Sequence, residues 1–334
     1  MLHAVLKATP AAVLKAAAVA ALVLAGGVTA RAATVWDVSV PWPASEFHTV
    51  NAERFAKAVG EATKGQVTLT IHSGGSLGIR ANESLRAVED GAVPMAEVAG
   101  FLNVGDVPIL GLEAIPFLVK DYAELRRLHT LLRPIWEAEL AKRNQKILYV
   151  VPWPSQNFFT KTPIAKVADM KGVRMRTYDA NTTAMVQRLG MVPLQLGNAE
   201  VVAALATGKV DAAMTAGSTA AAQKYWEFLK YGFNTNHLWA SNLMTVNLDS
   251  WKTLSPQQQA AIEAVAAGLE PDFWTVSEGE HTRRMAELQA HGMTVGPIAP
   301  ELRKALEEAT ADMTADFIRK VGGPSADVIA AFKK

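Results

Sequence analysis

A two-lobed α/β protein with a ligand cleft between the lobes is the fold class this sequence predicts, on three observations. Between residues 35 and 99, short β-type runs alternate with an amphipathic helical run, the βαβ rhythm of a parallel sheet covered by helices. A second α/β series starts after Pro152-Trp153-Pro154-Ser155, a good place for the chain to cross between lobes. The 334 residues, 50% of them hydrophobic, are enough for two cores, and no internal repeat, low-complexity segment or long flexible linker interrupts them.

The N-terminus stands outside that fold. Lys7 and Lys15 precede an Ala/Val/Leu run from Ala16 to about Ala25, and Ala30-Arg31-Ala32 supplies small residues for a signal-peptidase site. The run is too short and alanine-rich for a good membrane anchor, and no later stretch reaches about 18 uninterrupted apolar residues. Residues 1–32 are therefore expected to be a secretory leader cleaved near Ala32. Its three basic residues account for a formal charge of +1 on the whole chain and −2 without it. A near-neutral chain with no basic run offers no electrostatic footprint for nucleic acid. With no cysteine at all, disulfides, thiolate metal sites and cysteine nucleophiles are excluded.

In order, strands are expected at 35–40 and 67–72, with a helix over 46–63 between them that buries Val50, Phe55 and Val59. The loop 73–78 leads into a helix through Gly91, and 92–99 reads as a buried strand despite Pro94. Residues 101–120, rich in Gly and Pro, resist assignment. A helix over 122–143 carries the stripe Leu125, Leu128, Leu132, Ile135 and Leu140, with Pro134 as a kink, before a strand at 147–153. The second lobe starts with 157–162 and a strand at 173–177, followed by a helix to Leu189 that Gly190 closes. A helix from Gly197-Asn198 to Gly208 and a strand at 210–215 come next. Residues 228–239 are mainly extended, and 243–247 returns to the first lobe as a strand. The helix from Ser255-Pro256 has Ile262, Val265, Leu269, Phe273 and Val276 at helical spacing. Helical runs over 300–321 and 325–332 end the chain.

Visible catalytic chemistry is absent. There is no His-Glu-x-x-His helix, phosphate loop or Gly-x-Ser-x-Gly elbow, and Gly74, Gly75 and Gly78 have the wrong spacing for a dinucleotide loop. Seven histidines, one in the leader, show no close pairing at ligand spacing, so no metal and no cofactor is expected. Glu89 and Asp90 are adjacent on a helix and point in different directions. The most informative stretch is Val173-Arg174-Met175-Arg176-Thr177, which alternates apolar and basic residues as a strand does. Arg176 then reads either as a surface arginine or as a planar fork at the mouth of a crevice, matched to a carboxylate. Strand parity does not separate it from Arg174.

A family resemblance separates them. Asp169-Met-Lys-Gly-Val-Arg-Met-Arg176, Gly190-Met-Val-Pro193, Glu200 to Asp211, and Thr235-Asn-His237 follow one another in order. With Gly74 to Gly78, Glu89 to Met95 and Ile115-Pro-Phe-Leu118, they resemble the extracytoplasmic solute-binding subunits of tripartite ATP-independent periplasmic (TRAP) transporters, the DctP-like family. The resemblance implies a periplasmic-binding-protein-like fold of type II kind, with a long lobe-spanning helix and discontinuous lobes: 33–153 plus 242–281, and 154–241 plus 282–334. It implies a small organic acid as ligand, membrane permease subunits as partners, and an arginine, here Arg176, on the solute carboxylate. Two departures stand out. Family members often have a second arginine where this chain has Asn157, and an asparagine contact where it has Thr215. An arginine-poor pocket disfavours a second carboxylate, because a buried unpaired charge costs several kcal/mol, so an aromatic or bulky monocarboxylate with a 2-oxo or 2-hydroxy group is expected.

Further candidates for the ligand wall are Trp42, Trp153, Phe158 and Trp239, although each taken singly reads first as core packing. His48, Asn157, Thr215 and Asn242 are candidate polar contacts, and Arg80 a second cation. The rival readings are a binding protein for an ATP-driven importer or sensor, and an exported lyase or hydrolase using a carboxylate base.

Overall fold

A computed structural model describes residues 33–334, and the leader expected over residues 1–32 lies outside them. Two sheets organise the described chain. Strands β1 (Thr34–Ser39), β2 (Val67–His72), β3 (Met95–Ala99) and β4 (Gln145–Pro152) begin the first. Strands β5 (Gln156–Thr160), β6 (Arg174–Thr177), β7 (Val192–Gln195), β8 (Ala212–Ala216) and β9 (Tyr231–Asn234) belong to the second. The chain then goes back: β10 (Ser241–Asn247) enters the first sheet and β11 (Thr294–Pro297) the second. The orders are β2-β1-β3-β10-β4 and β11-β9-β5-β8-β6-β7. The βαβ rhythm correctly predicts parallel pairing of β1 with β2 and β3, whereas β10 runs antiparallel between β3 and β4.

Helix α1 (Phe47–Ala62) lays Phe47, Phe55 and Val59 on the first sheet and ends before Lys64 and Gly65, both at positive φ. Helix α2 (Ser84–Glu89) is much shorter than the run to Gly91 expected from the sequence. The preceding residues form a loop in which Gly74, Gly75 and Gly78 all take left-handed backbone, a conformation that costs side-chain-bearing residues more. Helix α3 (Tyr122–Ala141) starts at Asp121, whose side chain accepts from the Glu124 N–H, and continues past Pro134.

In the second lobe, α4 (Ala180–Arg188), α5 (Val201–Ala206) and α6 (Gly217–Ala222) follow β6, β7 and β8. Helix α7 (Leu248–Lys252) leads to α8 (Pro256–Ala290), which is 35 residues long and opens with Pro256 behind a Ser255/Gln258 capping box. The first part of α8 packs on α1 and β4, and its last turns pack on α6 and β11, so one helix spans both lobes. The single helix expected over 300–321 is two, α9 (Pro300–Thr310) and α10 (Met313–Val321). Helix α11 (Ser325–Phe332) lies on α3, although the sequence reading groups it with the second lobe.

Two crossing segments run side by side between the lobes. The Trp153 N–H donates to the Ala240 carbonyl at 2.8 Å, the Gln156 N–H to that of Leu238 at 3.0 Å, and the His237 N–H to that of Gln156 at 3.2 Å. No helix among the described residues is long and apolar enough to cross a membrane.

Candidate functional site

A cavity of about 860 Å³ opens where this ribbon meets the ends of β6 and β8. Ligand sites in α/β sheets favour this position, outside the carboxyl ends of strands, because side chains from several elements converge there without disturbing the core. The first lobe contributes Trp42, Phe101 and the left-handed glycine loop, the crossing contributes Trp153 and Gln156, and the second lobe contributes Arg176, Tyr178, Gln195, Asn198 and Thr215.

Arg176 is 4% exposed. Its Nε–H donates to the Leu196 carbonyl and one terminal nitrogen to that of Met214, both at 3.1 Å. The guanidinium also sits 5.1 Å from the centre of the Tyr178 ring. No carboxylate among the described residues lies within 4.0 Å of it, while burial pulls its pKa below the ordinary arginine value. An arginine is held this way at a cost of several kcal/mol unless something anionic reaches it. Two carbonyls fix the fork, and the remaining N–H groups are left for the cavity. Tyr178, beside it, is kept neutral by burial, and its hydroxyl has no hydrogen-bond partner among the described residues.

Arg174, on the same side of β6, behaves differently. It makes two 2.7 Å hydrogen bonds to Asp211 and is half exposed. Distance along the strand separates the two arginines: residue 176 reaches the cleft end of the sheet and residue 174 the outer end.

The other sequence candidates divide into cavity wall and background. Thr215, Trp42 and Trp153 line the cavity, with the two indoles meeting edge to face at 4.9 Å. Arg80 lines it too, but Glu83 takes its backbone N–H at 3.0 Å and its Nε–H at 2.9 Å. His48 stands behind the wall, bonded through Nδ1 to Glu97 at 2.9 Å, its ring 4.2 Å from that of Trp153. Asn242 also lies behind it and accepts from the Trp153 indole N–H at 2.9 Å. Asn157 shares a sheet face with Thr215, yet it is turned away: its amide donates to the Ser155 carbonyl and its oxygen accepts from the Asn236 N–H. Phe158 packs against His237, and Trp239 packs against Tyr122 with its N–H on the Val119 carbonyl. Both are core residues that do not line the cavity.

Gln156 was missed. It is 5% exposed and lines the cavity, and its amide nitrogen donates to the Pro154 carbonyl at 3.1 Å. That bond fixes the carboxamide so that its oxygen, which no donor among the described residues reaches, is the free end. The signal was present in the sequence as a polar residue beside the proline-rich crossing.

Nothing here assembles catalytic chemistry. A Ser241–His129–Glu113 cluster is buried, but hydroxyl and imidazole both turn to one carboxylate oxygen, at 2.9 and 2.7 Å, and none of the three lines the cavity. A triad would need the carboxylate and the hydroxyl on opposite ring nitrogens. Among the described residues no group of three or more potential metal ligands occurs.

Residues 38–320 match the family model for bacterial extracellular solute-binding proteins, family 7, DctP. The chain belongs to this family. DctP-family proteins are periplasmic receptors for small organic acids that serve the membrane subunits of TRAP transporters, and they are not enzymes. DctP7, a Bordetella pertussis extracytoplasmic solute receptor described as binding pyroglutamic acid, is similar at 29% identity and a TM-score of 0.88, over 90% of this chain and all of that one. A marine metagenome TRAP protein described as specific for pyroglutamate is 31% identical with a TM-score of 0.86, over 91% and 99% of the two chains. The 2,3-diketo-L-gulonate-binding periplasmic protein YiaO of Escherichia coli is 26% identical over 289 residues, covering 84% of this chain and 86% of that one. The DctP fold therefore accounts for the two lobes, the long helix and the cleft.

Proposed function

We propose that this chain captures a ring-bearing or otherwise bulky organic monocarboxylate through Arg176 and delivers it to the permease subunits of a TRAP transporter. The observation that carries the reading is a buried guanidinium at the end of the cleft with two carbonyl partners and, among the described residues, no carboxylate. A solute carboxylate would remove the penalty of that buried charge. Among the described lining residues a second carboxylate would meet no free cation: Arg80 is engaged by Glu83, and Glu200 adds negative charge to the lining. This favours an uncharged remainder.

The remainder would lie between Trp42, Trp153 and Tyr178, within reach of the Gln156 oxygen, which asks for a donor. A five-membered lactam acid such as pyroglutamate, the solute named for two similar receptors, offers one carboxylate and one N–H. A cavity of about 860 Å³ is far larger than such a ring, so the lobes would draw together around it. Micromolar binding, about −8 kcal/mol, is within the range of one bidentate contact plus a buried ring.

The test is a thermal-shift and calorimetric comparison of pyroglutamate, aromatic 2-oxo and 2-hydroxy acids and succinate. Monocarboxylates are expected to raise the melting temperature and release no product on incubation. Equal or tighter binding of succinate would overturn the monocarboxylate reading and bring Arg80 into the site.

A further inference from the structure

The outer end of the second sheet, away from the cavity, gathers positive charge that no single run of the sequence carries. Strands β9, β5, β8 and β6 lie side by side there. Backbone bonds tie their ends together: the Lys230 N–H donates to the Thr160 carbonyl at 3.0 Å, that of Lys161 to the Asp211 carbonyl at 3.2 Å, and that of Asp211 to the Arg174 carbonyl at 2.8 Å. The segments at this end, 161–174, 207–211, 223–230 and 291–293, hold seven lysine and arginine side chains against three acids. That is a net +4 in described residues that total −2, so the remainder carries −6. Little of the charge is cancelled locally. Asp211 is taken by Arg174, with Lys161 at 3.9 Å, and Asp169 accepts from the backbone N–H groups of Ala165 and Lys166. Glu287, in the last turn of α8, is tied to Arg284. Lys166, Lys171, Lys209, Lys224 and Lys230 are exposed, with no carboxylate within 4.0 Å among the described residues. At the same end the half-buried Trp226 stacks on the exposed His291 at 4.0 Å, and Val192, where β7 begins, is 46% exposed.

We propose that this pole docks on an anionic membrane surface, its lysines engaging phospholipid phosphates and Trp226 lying at the level of the head groups. The lysines stand on separate loops with their ammonium ends unfixed, which suits many mobile phosphates and offers no rigid pattern to a folded partner. A half-buried indole at the rim of a cationic surface has the mixed polarity that the membrane interface favours. The asymmetry of charge orients the molecule, since a +4 pole is drawn to an anionic surface and the −6 remainder is pushed from it. The cavity lies at the other ends of β6 and β8, so the cleft stays clear of the head groups. Docking of this kind holds a TRAP receptor in the plane of the membrane subunits, whichever acid the cleft takes.

The test is co-sedimentation of the purified protein with vesicles of phosphatidylcholine containing phosphatidylglycerol, and with vesicles of phosphatidylcholine alone. The anionic vesicles are expected to retain at least about tenfold more protein, and the difference should vanish between about 50 mM and about 500 mM salt. Lys171→Glu combined with Lys209→Glu should lower that retention at least about tenfold. Lys57→Glu combined with Lys142→Glu, at exposed lysines of the first lobe, makes the same change in net charge and should leave retention close to native. If the first pair fails to fold, Lys171→Gln with Lys209→Gln should show the same loss in smaller measure. Equal retention on the two kinds of vesicle, or equal losses in the two charge-reversed pairs, would overturn the proposal. Salt-sensitive capture by the membrane subunits in phosphatidylcholine, without retention on anionic vesicles, would also overturn it and give the pole to an acidic protein partner.

Discussion

Arg176 and Glu113 are both charged, both at least 96% buried, and stand in different lobes. Glu113 is surrounded by its own protein: His129 and Ser241 bond one of its oxygens at 2.7 and 2.9 Å. Among the described residues Arg176 has only two carbonyls and a ring face, and its remaining donors are turned to a cavity. A buried charge whose partners are internal holds the fold, whereas one left partly unpaired beside a void serves a visitor. Substitutions at the two sites should have opposite signatures.

The largest effect is expected at Arg176. Arg176→Met should lower solute affinity by at least about a hundredfold, since charge-assisted bonds to a buried ion are each worth about 1.5–3 kcal/mol. It should leave the ligand-free melting temperature unchanged or raised, because an uncompensated buried charge is gone. Calorimetry and thermal melts read the two parts separately. Unchanged affinity would mean the solute binds elsewhere in the cleft.

Glu113→Ala should do the reverse. Removing one partner of a buried pair costs about 3–5 kcal/mol. Denaturant unfolding should show that loss, while affinity per folded molecule stays near native. A stability close to native would make the Glu113 cluster dispensable and dissolve the contrast.

How much of this is legible in the sequence depends on range. Alternation in 173–177, Asp179 before α4 and Ser255-Pro256 before α8 are local signals, and the structure follows them: the Asp179 side chain accepts from the Thr182 N–H, and Ser255 from that of Gln258. Helix α6 was not read because Gly-Ser-Thr at its start carries no helical stripe. Strand β11 is a two-sided edge strand that obtains its pairing only from β9. At the site, the strand register puts Arg176, Thr215 and Asn157 on one face of the sheet. The cavity, however, lies beyond the strand ends, where inside and outside no longer alternate. Gln156, of the other parity, therefore reaches the cavity, while Asn157 ties down the crossing. No local pattern distinguishes an aromatic wall from an aromatic core, so Trp42 and Trp153 could not be told from Phe158 and Trp239.

A sharper contrast concerns Gln156. If its fixed oxygen reads a donor on the solute, Gln156→Leu should weaken a lactam acid about tenfold, the worth of a hydrogen bond whose loss strands a buried partner. The same change should affect a ring acid lacking the N–H much less. Equal losses for both acids would make Gln156 a packing residue.

The smallest effect is expected at Asn242, which never reaches the cavity and acts only by holding Trp153 through its indole N–H. Asn242→Leu leaves that N–H without an acceptor in a buried site and frees the ring to tilt away from Trp42. A few-fold loss of affinity and about 1–2 kcal/mol of stability are expected. Asn242→Asp keeps the acceptor and should restore the position of the ring, read as recovery of Trp153 fluorescence and of affinity together. Recovery of stability without affinity would place Asn242 with Glu113, among the groups that serve the fold alone.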